Sequence, residues 1–287
     1  MRPFASTAVL SVLALAAVAR AGAPWPQPAA GPSASGDPEL LLTFDDGPHE
    51  EYTPQILDEL KRRGLHAVFF WVGRRITGDR RGVDARRQIA RRAVREGHLV
   101  GNHTIHHAQL CAGPRERAAF EIDENARMFR DLLGMPLRWF RAPYGAKCDR
   151  VRAMLAARGL THFHWDMDPH EWEHHDLNLT LAYVERKLRA LDGRGVLLMH
   201  DTKAVTARAL PLILDWIDRE NERRLRAGLR PIRIISYVDV AREQLAPGLA
   251  AWLRDAGADA AELAMRLAAT IPGDTGRATA ARAAGPR

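Results

Sequence analysis

Short apolar runs alternate with longer amphipathic segments along most of this chain, and this alternation restricts the fold more than any other sequence feature. Seven runs have the character of buried strands, at residues 39–44, 67–72, 99–102, 139–141, 161–165, 195–199 and 233–236. Six segments have helical periodicity, at residues 53–63, 84–96, 115–133, 149–158, 179–191 and 205–221. Such alternation predicts a parallel α/β domain, built either as a barrel or as a doubly wound sheet.

The composition is that of an ordinary globular protein. The chain has 287 residues, of which 46% are hydrophobic and 27% charged, so it suits one large domain or two small ones. The formal net charge is +7, but no block of Lys and Arg is interleaved with aromatic residues. We therefore interpret the basic balance as a solvated surface and expect no nucleic-acid partner.

The amino terminus predicts export. Arg2 precedes an apolar, Ala-rich run at residues 8–19, and Ala19-Arg20-Ala21 resembles a signal-peptidase site. We expect a signal peptide over residues 1–21, a periplasmic or secreted product and no stable membrane insertion after cleavage. An uncleaved membrane anchor is the alternative.

The remaining organisation is simple. A Pro/Ala-rich linker is expected at 22–37, because Pro24, Pro26, Pro28 and Pro32 disfavour packed structure. A single folded domain should cover 38–245, followed by a helix over 246–272 and a flexible tail over 273–287.

Polar residues follow five of the predicted strands at the point where each strand ends. They are Asp45 and Asp46, His103 to His107, Arg141 to Gly145, Asp166 to Trp172, and His200 with Asp201. In both candidate architectures, ligands bind where the carboxyl ends of the strands meet. The sequence therefore predicts one site built from all five strand ends.

Two histidines and a carboxylate in this set have the character of metal ligands. His103 and His107 are spaced i, i+4, which on a helical turn would bring both rings to one ion, and Asp46 can supply the third ligand. This donor set favours Zn²⁺ and leaves a position open for water and substrate, although Co²⁺ or Ni²⁺ would also fit. His106 competes for either histidine role, and the sequence alone does not exclude it.

The remaining polar residues suit acid–base chemistry. Asp45 is available as a general base toward an attacking water, and Arg141 could keep its carboxylate ionised and oriented. His200 ends an apolar strand and is a candidate general acid, with Glu171 as the partner that raises its pKa.

These segments resemble, in chain order, the five signature motifs of the NodB-homology polysaccharide deacetylases, carbohydrate esterase family four. The motifs are TFDDGP, the HTxxH segment from His103, the RAPYG segment from Arg141, the DxxEW segment from Asp168 and the LxxH segment from Leu197. The resemblance implies a distorted (β/α)-barrel with about seven parallel strands and metal-dependent removal of acetyl groups from polysaccharides. It also implies that the Tyr144 N–H binds the oxyanion and that Trp172 and Leu197 line a pocket for the acetyl methyl group.

The sequence departs from the family pattern in two places. Glu171 stands where the family usually has Asp, so Asp166 or Asp168 could take over its role. Ala108 follows the second histidine where Pro is usual.

Cys111 and Cys148 each lie four residues beyond a motif residue, so a disulfide would join the two motif loops if they meet. Two free thiols are the alternative.

Three kinds of function remain open. The first is a metal-dependent hydrolase that removes N-acetyl groups from an extracytoplasmic polysaccharide, such as peptidoglycan, a chitin-like polymer or an exopolysaccharide, and releases acetate. The others are a carbohydrate-binding protein without turnover and an amidohydrolase for a small amide; an open groove favours a polymer, and a short closed cleft the small amide. The His-rich segment at residues 165–175 either lines the groove or holds a second metal. The sequence gives no indication of the oligomeric state.

Overall fold

The computed structural model describes residues 36–78, 81–237 and 239–240. Its strands are β1 (Glu39–Asp45), β2 (Val68–Trp71), β3 (Leu99–Asn102), β4 (Trp139–Phe140), β5 (Thr161–His162), β6 (Arg194–His200) and β7 (Arg233–Ile235). Its helices are α1 (Tyr52–Arg62), α2 (Val83–Arg95), α3 (Arg115–Leu133), α4 (Asp149–Ala156), α5 (Glu171–His174), α6 (Leu177–Arg189) and α7 (Ala204–Arg226).

The strands form one parallel sheet in which β1 pairs with three other strands. The order is β5-β4-β3-β2-β1-β6, and every pairing is parallel. β1 pairs with β6 along its whole length, whereas β7 pairs with residues 39–41 of β1 and β2 pairs with residues 43–45. All the strands therefore present their carboxyl ends at one edge of the sheet.

Backbone hydrogen bonds join the two ends of the sheet. Met167, which follows β5, pairs in parallel with Leu197 of β6. The Leu198 N–H donates to the Met167 carbonyl over 2.9 Å. The sheet thus curls into a distorted (β/α)-barrel, as predicted, and a doubly wound sheet is excluded.

Side chains alternate between the inside of this barrel and the surrounding helices. Leu41, Val68, Phe70 and Phe163 belong to an interior cluster that contains no residue of the helices α1–α7. The intervening strand residues pack with the apolar faces of the helices, in a cluster that includes Leu40, Leu42, Phe44, Phe69, Leu57, Ala90, Leu188 and Leu210. Each fully buried Leu or Phe contributes about 1.5–3 kcal/mol, so these two layers fix the positions of the strand ends.

Most predicted elements lie where the sequence placed them. Strand 99–102 and helix 115–133 have the predicted bounds. The strand predicted at 161–165 ends at His162, and α5 was not predicted because four residues are too few to show helical periodicity.

The predicted signal peptide, C-terminal helix and tail lie outside the described residues, as does all but the end of the predicted linker. Within the described part of the chain, no helix combines the length and the apolar character that crossing a membrane would require.

Candidate metal and catalytic site

Asp45 and Asp46 enter one site because the chain turns sharply between them. Asp45 is the last residue of β1, is 3% exposed and faces the barrel interior. Asp46 adopts a left-handed conformation with φ of 76°, which Asp tolerates better than most residues, and its N–H donates to the Phe70 carbonyl. Both carboxylates consequently lie 3.6 Å from Nε2 of His103.

Asp46, His103 and His107 form a set of three potential metal ligands. Asp46 Oδ1 lies 3.3 Å from His107 Nε2 and 3.6 Å from His103 Nε2. The three donor atoms all lie within 4.8 Å of one another. Tetrahedral Zn²⁺ with bonds of about 2.0–2.1 Å needs its ligand atoms roughly 3.3–3.4 Å apart. Asp46 Oδ1 is also buried with no hydrogen-bond partner among the described residues, so the donor set fits a divalent metal.

The two histidines reach this position from an irregular loop, whereas the sequence predicted a helical turn. Thr104 and His107 both have positive φ, at 64° and 58°. The loop is held by its own side chains: Asn102 accepts from the Thr104 N–H, and the Thr104 hydroxyl accepts from the Ala108 N–H. Hydrogen bonds accepted by the side chains of Asn102 and Thr104 thus replace the helical backbone bonds that the i, i+4 spacing suggested.

His103 is oriented by the neighbouring strand. Its Nδ1 lies 2.7 Å from the Arg141 carbonyl, which leaves Nε2 directed at the two carboxylates. Such a hydrogen bond fixes the tautomer of a histidine ligand.

His106, the competing ligand, lies elsewhere. Its Nδ1 is 2.9 Å from Oε1 of Glu121, its N–H donates to Oε2 of the same carboxylate, and its side chain is 54% exposed. It is not part of the metal-ligand set.

The charges within this set favour metal binding. Burial alone would raise the pKa of Asp46, but the charges of His103, His107, His200 and Arg75 together outweigh burial and hold that pKa below its usual value. Burial lowers the pKa of His107, against the opposing charge of Asp46. An ionised carboxylate and a neutral imidazole are the forms that coordinate a metal.

Arg141 fixes the second carboxylate. Its Nη1 donates to Asp45 Oδ1 and to the Thr43 hydroxyl, each over 2.8 Å, and its Nη2 donates to the His164 carbonyl over 3.2 Å. The guanidinium is fully buried and lies 4.4 Å from the centre of the Phe70 ring. A buried cation held this firmly orients the Asp45 carboxylate.

His200 and Glu171 form the matching pair on the other side of β1. His200 ends β6 and is the register partner of Asp45. Glu171 Oε1 accepts from the His200 N–H over 2.7 Å, lies 3.1 Å from His200 Nδ1 and accepts from the Thr206 hydroxyl. Burial disfavours the charged ring, but Glu171, with Asp45 and Asp46, outweighs it and raises the pKa of His200 to about 9.

Glu171 therefore contacts His200 despite replacing the usual Asp. The short helix α5 begins at Glu171 and supports it beside β6. The two alternative carboxylates are engaged elsewhere: Asp166 accepts from the Val196 N–H and Asp168 from the His170 N–H.

Two aromatic residues flank the site. Tyr144 has φ of 58°, is 69% exposed and has its ring 4.6 Å from that of His107. Among the described residues, its N–H donates to no acceptor. Trp172 is 40% exposed, with its ring 6.2 Å from that of His200.

Leu197 does not suit the pocket role that the sequence motif assigned to it. It belongs to the cluster packed against the helices, because successive strand residues point to opposite faces and His200 points inward. Leu198, two residues before His200, shares the face of β6 that bears the site and is 3% exposed. Strand alternation counted back from His200 was the signal that could have identified it.

Beside the site lies a groove of about 660 Å³. His107 and Tyr144 belong to both the groove and the site, and Gln109, Arg117 and Glu121 are among the other residues that line the groove. Cys111 and Cys148 are joined by a disulfide, with Cα atoms 6.1 Å apart, and Arg150 donates to the carbonyls of Leu110 and Gly113. The disulfide and the Arg150 hydrogen bonds hold the loop at residues 110–113 beside the groove.

The His-rich segment at residues 165–175 contributes no second metal-ligand set within the described part of the chain. His170 instead lies 3.6 Å from Glu173, and His174 Nε2 lies 2.9 Å from the Pro169 carbonyl. None of its described residues is among those that line the groove, so the role of this segment at the edge of the groove stays a prediction.

Comparisons with known proteins agree with this architecture. The family model for polysaccharide deacetylase matches residues 33–163. A chitooligosaccharide deacetylase of Sinorhizobium fredii is 35% identical over 172 residues, which cover 59% of this chain and 74% of that protein. The peptidoglycan-N-acetylglucosamine deacetylase PgdA of Listeria monocytogenes is 31% identical over 183 residues, covering 64% of this chain and 36% of that protein.

Among solved structures, the peptidoglycan deacetylase PdaC from Bacillus subtilis matches with a TM-score of 0.61 and 26% identity. The match covers 75% of this chain and 94% of that one. The chain therefore belongs to the polysaccharide deacetylase family.

Proposed function

We propose that this protein is a metal-dependent hydrolase that removes N-acetyl groups from a polysaccharide containing N-acetylglucosamine, releasing acetate. The observation that carries the proposal is the arrangement around Asp46, His103 and His107. On one side lies the buried Asp45–Arg141 pair, and on the other the His200–Glu171 pair. A metal-ligand set between a candidate base and a candidate acid is what amide hydrolysis requires.

Asp46, His103 and His107 would hold the metal, and Zn²⁺ suits two imidazoles and a carboxylate best. Bound there, a divalent ion would polarise the acetyl carbonyl and lower the pKa of the attacking water.

The chain's own residues then supply the proton transfers. Asp45, fixed by Arg141, takes a proton from the attacking water. The Tyr144 N–H donates to the carbonyl oxygen as it gains negative charge. His200 has its Nδ1 occupied by Glu171, so its Nε2 delivers a proton to the departing nitrogen as the C–N bond breaks. The products are acetate and a free amino sugar, and each acid–base group contributes about 10²–10⁴-fold.

A polymer suits the surroundings of the site better than a small amide. The site opens onto the groove beside His107 and Tyr144, whose volume of about 660 Å³ can hold further sugar units. The exposed ring of Tyr144 offers a stacking surface in the groove, and the exposed ring of Trp172 offers another near His200. The substrates named for the relatives, chitooligosaccharide and peptidoglycan N-acetylglucosamine, both belong to this class.

The proposed setting is outside the cytoplasm, with residues 1–21 as a cleaved signal peptide and 22–37 as a linker to the domain. A Cys111–Cys148 disulfide would suit an oxidising compartment. Thiol titration of the denatured protein before and after reduction tests the bond. We expect no free thiols before reduction and two afterwards; two free thiols in both samples would contradict it.

Acetate release tests the function itself. Zn-loaded protein is incubated with peptidoglycan, N-acetylglucosamine oligomers and acetylated xylan, with Asp45→Asn alongside. We expect release from the N-acetylated glycans that depends on Asp45. If folded, metal-loaded protein releases no acetate from any of them, the proposal is wrong, and a binding protein or a small-amide hydrolase takes its place.

A further inference from the structure

One buried carboxyl next to the site has no part in the mechanism above. Asp201 directly follows His200 and is fully buried. Its Oδ2 accepts from the Thr53 hydroxyl over 2.7 Å and from Trp71 Nε1 over 3.0 Å. Its Oδ1 is buried without a hydrogen-bond partner among the described residues. A carboxyl kept in this position at the cost of an unpaired atom needs an explanation.

The carboxyl of Asp201 packs directly against the turn that carries both site carboxylates. A Cβ added to Gly47 would lie only 2.1 Å from Asp201 Oδ2 and 2.4 Å from Oδ1. The Asp201 N–H also donates to the Asp45 carbonyl over 3.3 Å. Asp201 therefore contacts the residues on both sides of Asp46, and Gly47 provides the space for its carboxyl.

The same carboxyl connects the turn to helix α1 and strand β2. The Thr53 hydroxyl accepts from the His49 N–H over 2.8 Å and donates to Asp201, so the segment beyond the turn is joined to Asp201 through Thr53. Trp71, the other donor, belongs to β2, whose continuation holds the turn through a hydrogen bond from the Val72 N–H to the Gly47 carbonyl.

The raised pKa of Asp201 is compatible with its position behind the two acidic residues of the turn. Burial raises the pKa of Asp201 to about 7, the Thr53 and Trp71 hydrogen bonds oppose the rise, and Asp46 and Asp45 add to it. The carboxyl can therefore lie behind an acidic turn without a full additional negative charge at neutral pH.

We propose that Asp201 is a positioning residue that holds the Asp45–Asp46–Gly47 turn in the conformation that keeps Asp46 Oδ1 close to His103 and His107. The inference rests on the proposed function, because it assumes that this set binds a metal. Asp46 is in a left-handed conformation that costs energy for a non-glycine residue, and Asp201 is the side chain packed against the next residue of the turn.

Zinc affinity of the folded protein, measured by competition with a chromophoric chelator, tests the proposal. Asp201→Ala should weaken zinc affinity about 10–100-fold, the usual range for losing a residue that supports a metal ligand. Asp201→Asn should stay within a few-fold of wild type, because its amide oxygen can still accept from Thr53 and Trp71. Thr53→Val removes one of the two donors and keeps the side-chain shape, so it should give a smaller loss and remains informative if Asp201→Ala does not fold.

Glu39→Gln is the matched control, because Glu39 is another fully buried carboxyl, at the opposite end of β1. It should lower the unfolding temperature of the metal-free protein and leave zinc affinity unchanged. If Asp201→Ala and Thr53→Val also lower the unfolding temperature and leave zinc affinity unchanged, the role of Asp201 is only structural and the inference is overturned. A wild-type protein that binds no zinc would instead overturn the proposed function.

Discussion

β1 and β6 carry charged residues in register at both of their ends, but the two ends are built differently. At the amino end, Glu39 accepts two hydrogen bonds from Arg194 at 3.0 and 2.6 Å, and Arg233 donates to its other oxygen. At the carboxyl end, Asp45 lies opposite His200, and each pairs with a residue from elsewhere in the barrel, Arg141 or Glu171.

The difference lies in what each end leaves unpaired. Among the described residues, four at the carboxyl end have a buried polar atom without a partner: Asp46, Arg141, Glu171 and Asp201. Glu39 and Arg194 have no such atom. Mutual pairing at the amino end contributes to stability, whereas the carboxyl end keeps charged groups oriented but with unused hydrogen-bonding capacity. The comparison predicts that substitutions at the two ends change different properties.

The largest effect should follow from loss of a metal ligand. His103→Ala removes the ring that contacts both carboxylates, so we expect zinc binding to fall at least 100-fold and acetate release to become undetectable. His106→Ala is the matched control, because His106 lies in the same loop but pairs with Glu121. Metal content after dialysis measures both variants; equal zinc retention by the two would contradict the assignment of the ligands.

A smaller effect should follow from Glu171→Gln. Glu171 raises the pKa of His200 to about 9, so wild-type kcat should fall as pH rises through that value and His200 loses its proton. The amide keeps the shape but removes the charge. We expect the alkaline limb of the kcat–pH profile to move to lower pH by about one unit, with roughly a 2-fold loss at pH 8 that approaches about 10-fold near pH 10. An unmoved limb would show that His200 is not the acid.

The raised pKa of His200 also predicts how the stability of the protein depends on pH. Because the pKa of His200 is raised on folding, its contribution to stability is fully present below about pH 6.5 and is lost as pH rises toward 9. Urea denaturation of the metal-free protein across this range should show a decline that Glu171→Gln reduces. A decline of equal size in both proteins would argue against the pairing as its source.

The smallest effect should distinguish the two neighbouring leucines. Leu198→Ala removes part of the wall of the site near His200. We therefore expect kcat/KM to fall about 10-fold, which is typical of losing apolar contact in a pocket. Leu197→Ala creates a cavity on the helix side and should cost about 2–5 kcal/mol of unfolding free energy, with kcat/KM of the folded enzyme unchanged. The reverse pattern would restore the motif-based assignment of Leu197.

The sequence predicted the elements and the gathering of polar groups because both depend on local pattern. Apolar runs marked the strands, and parallel strands place Asp46, His103 and Arg141 at one edge. It could not predict the loop geometry of His103 and His107, because hydrogen bonds accepted by the side chains of Asn102 and Thr104 override the i, i+4 spacing. The position of Asp201 against Gly47 depends on the packing of β1, β2 and α1, and no local pattern reports that packing.

The central claim, that one end of β1 performs catalysis and the other supports the fold, is tested most directly by comparing Asp45→Asn with Glu39→Gln. Zinc content, acetate release and urea unfolding are measured on the same preparations. Asp45→Asn should retain zinc and lose about 10³-fold in kcat, as expected for a general base. Glu39→Gln should lose about 3–5 kcal/mol of stability, because it leaves Arg194 buried without its partner, and should keep kcat. Full activity in Asp45→Asn, or a comparable loss of kcat in folded Glu39→Gln, would contradict the account.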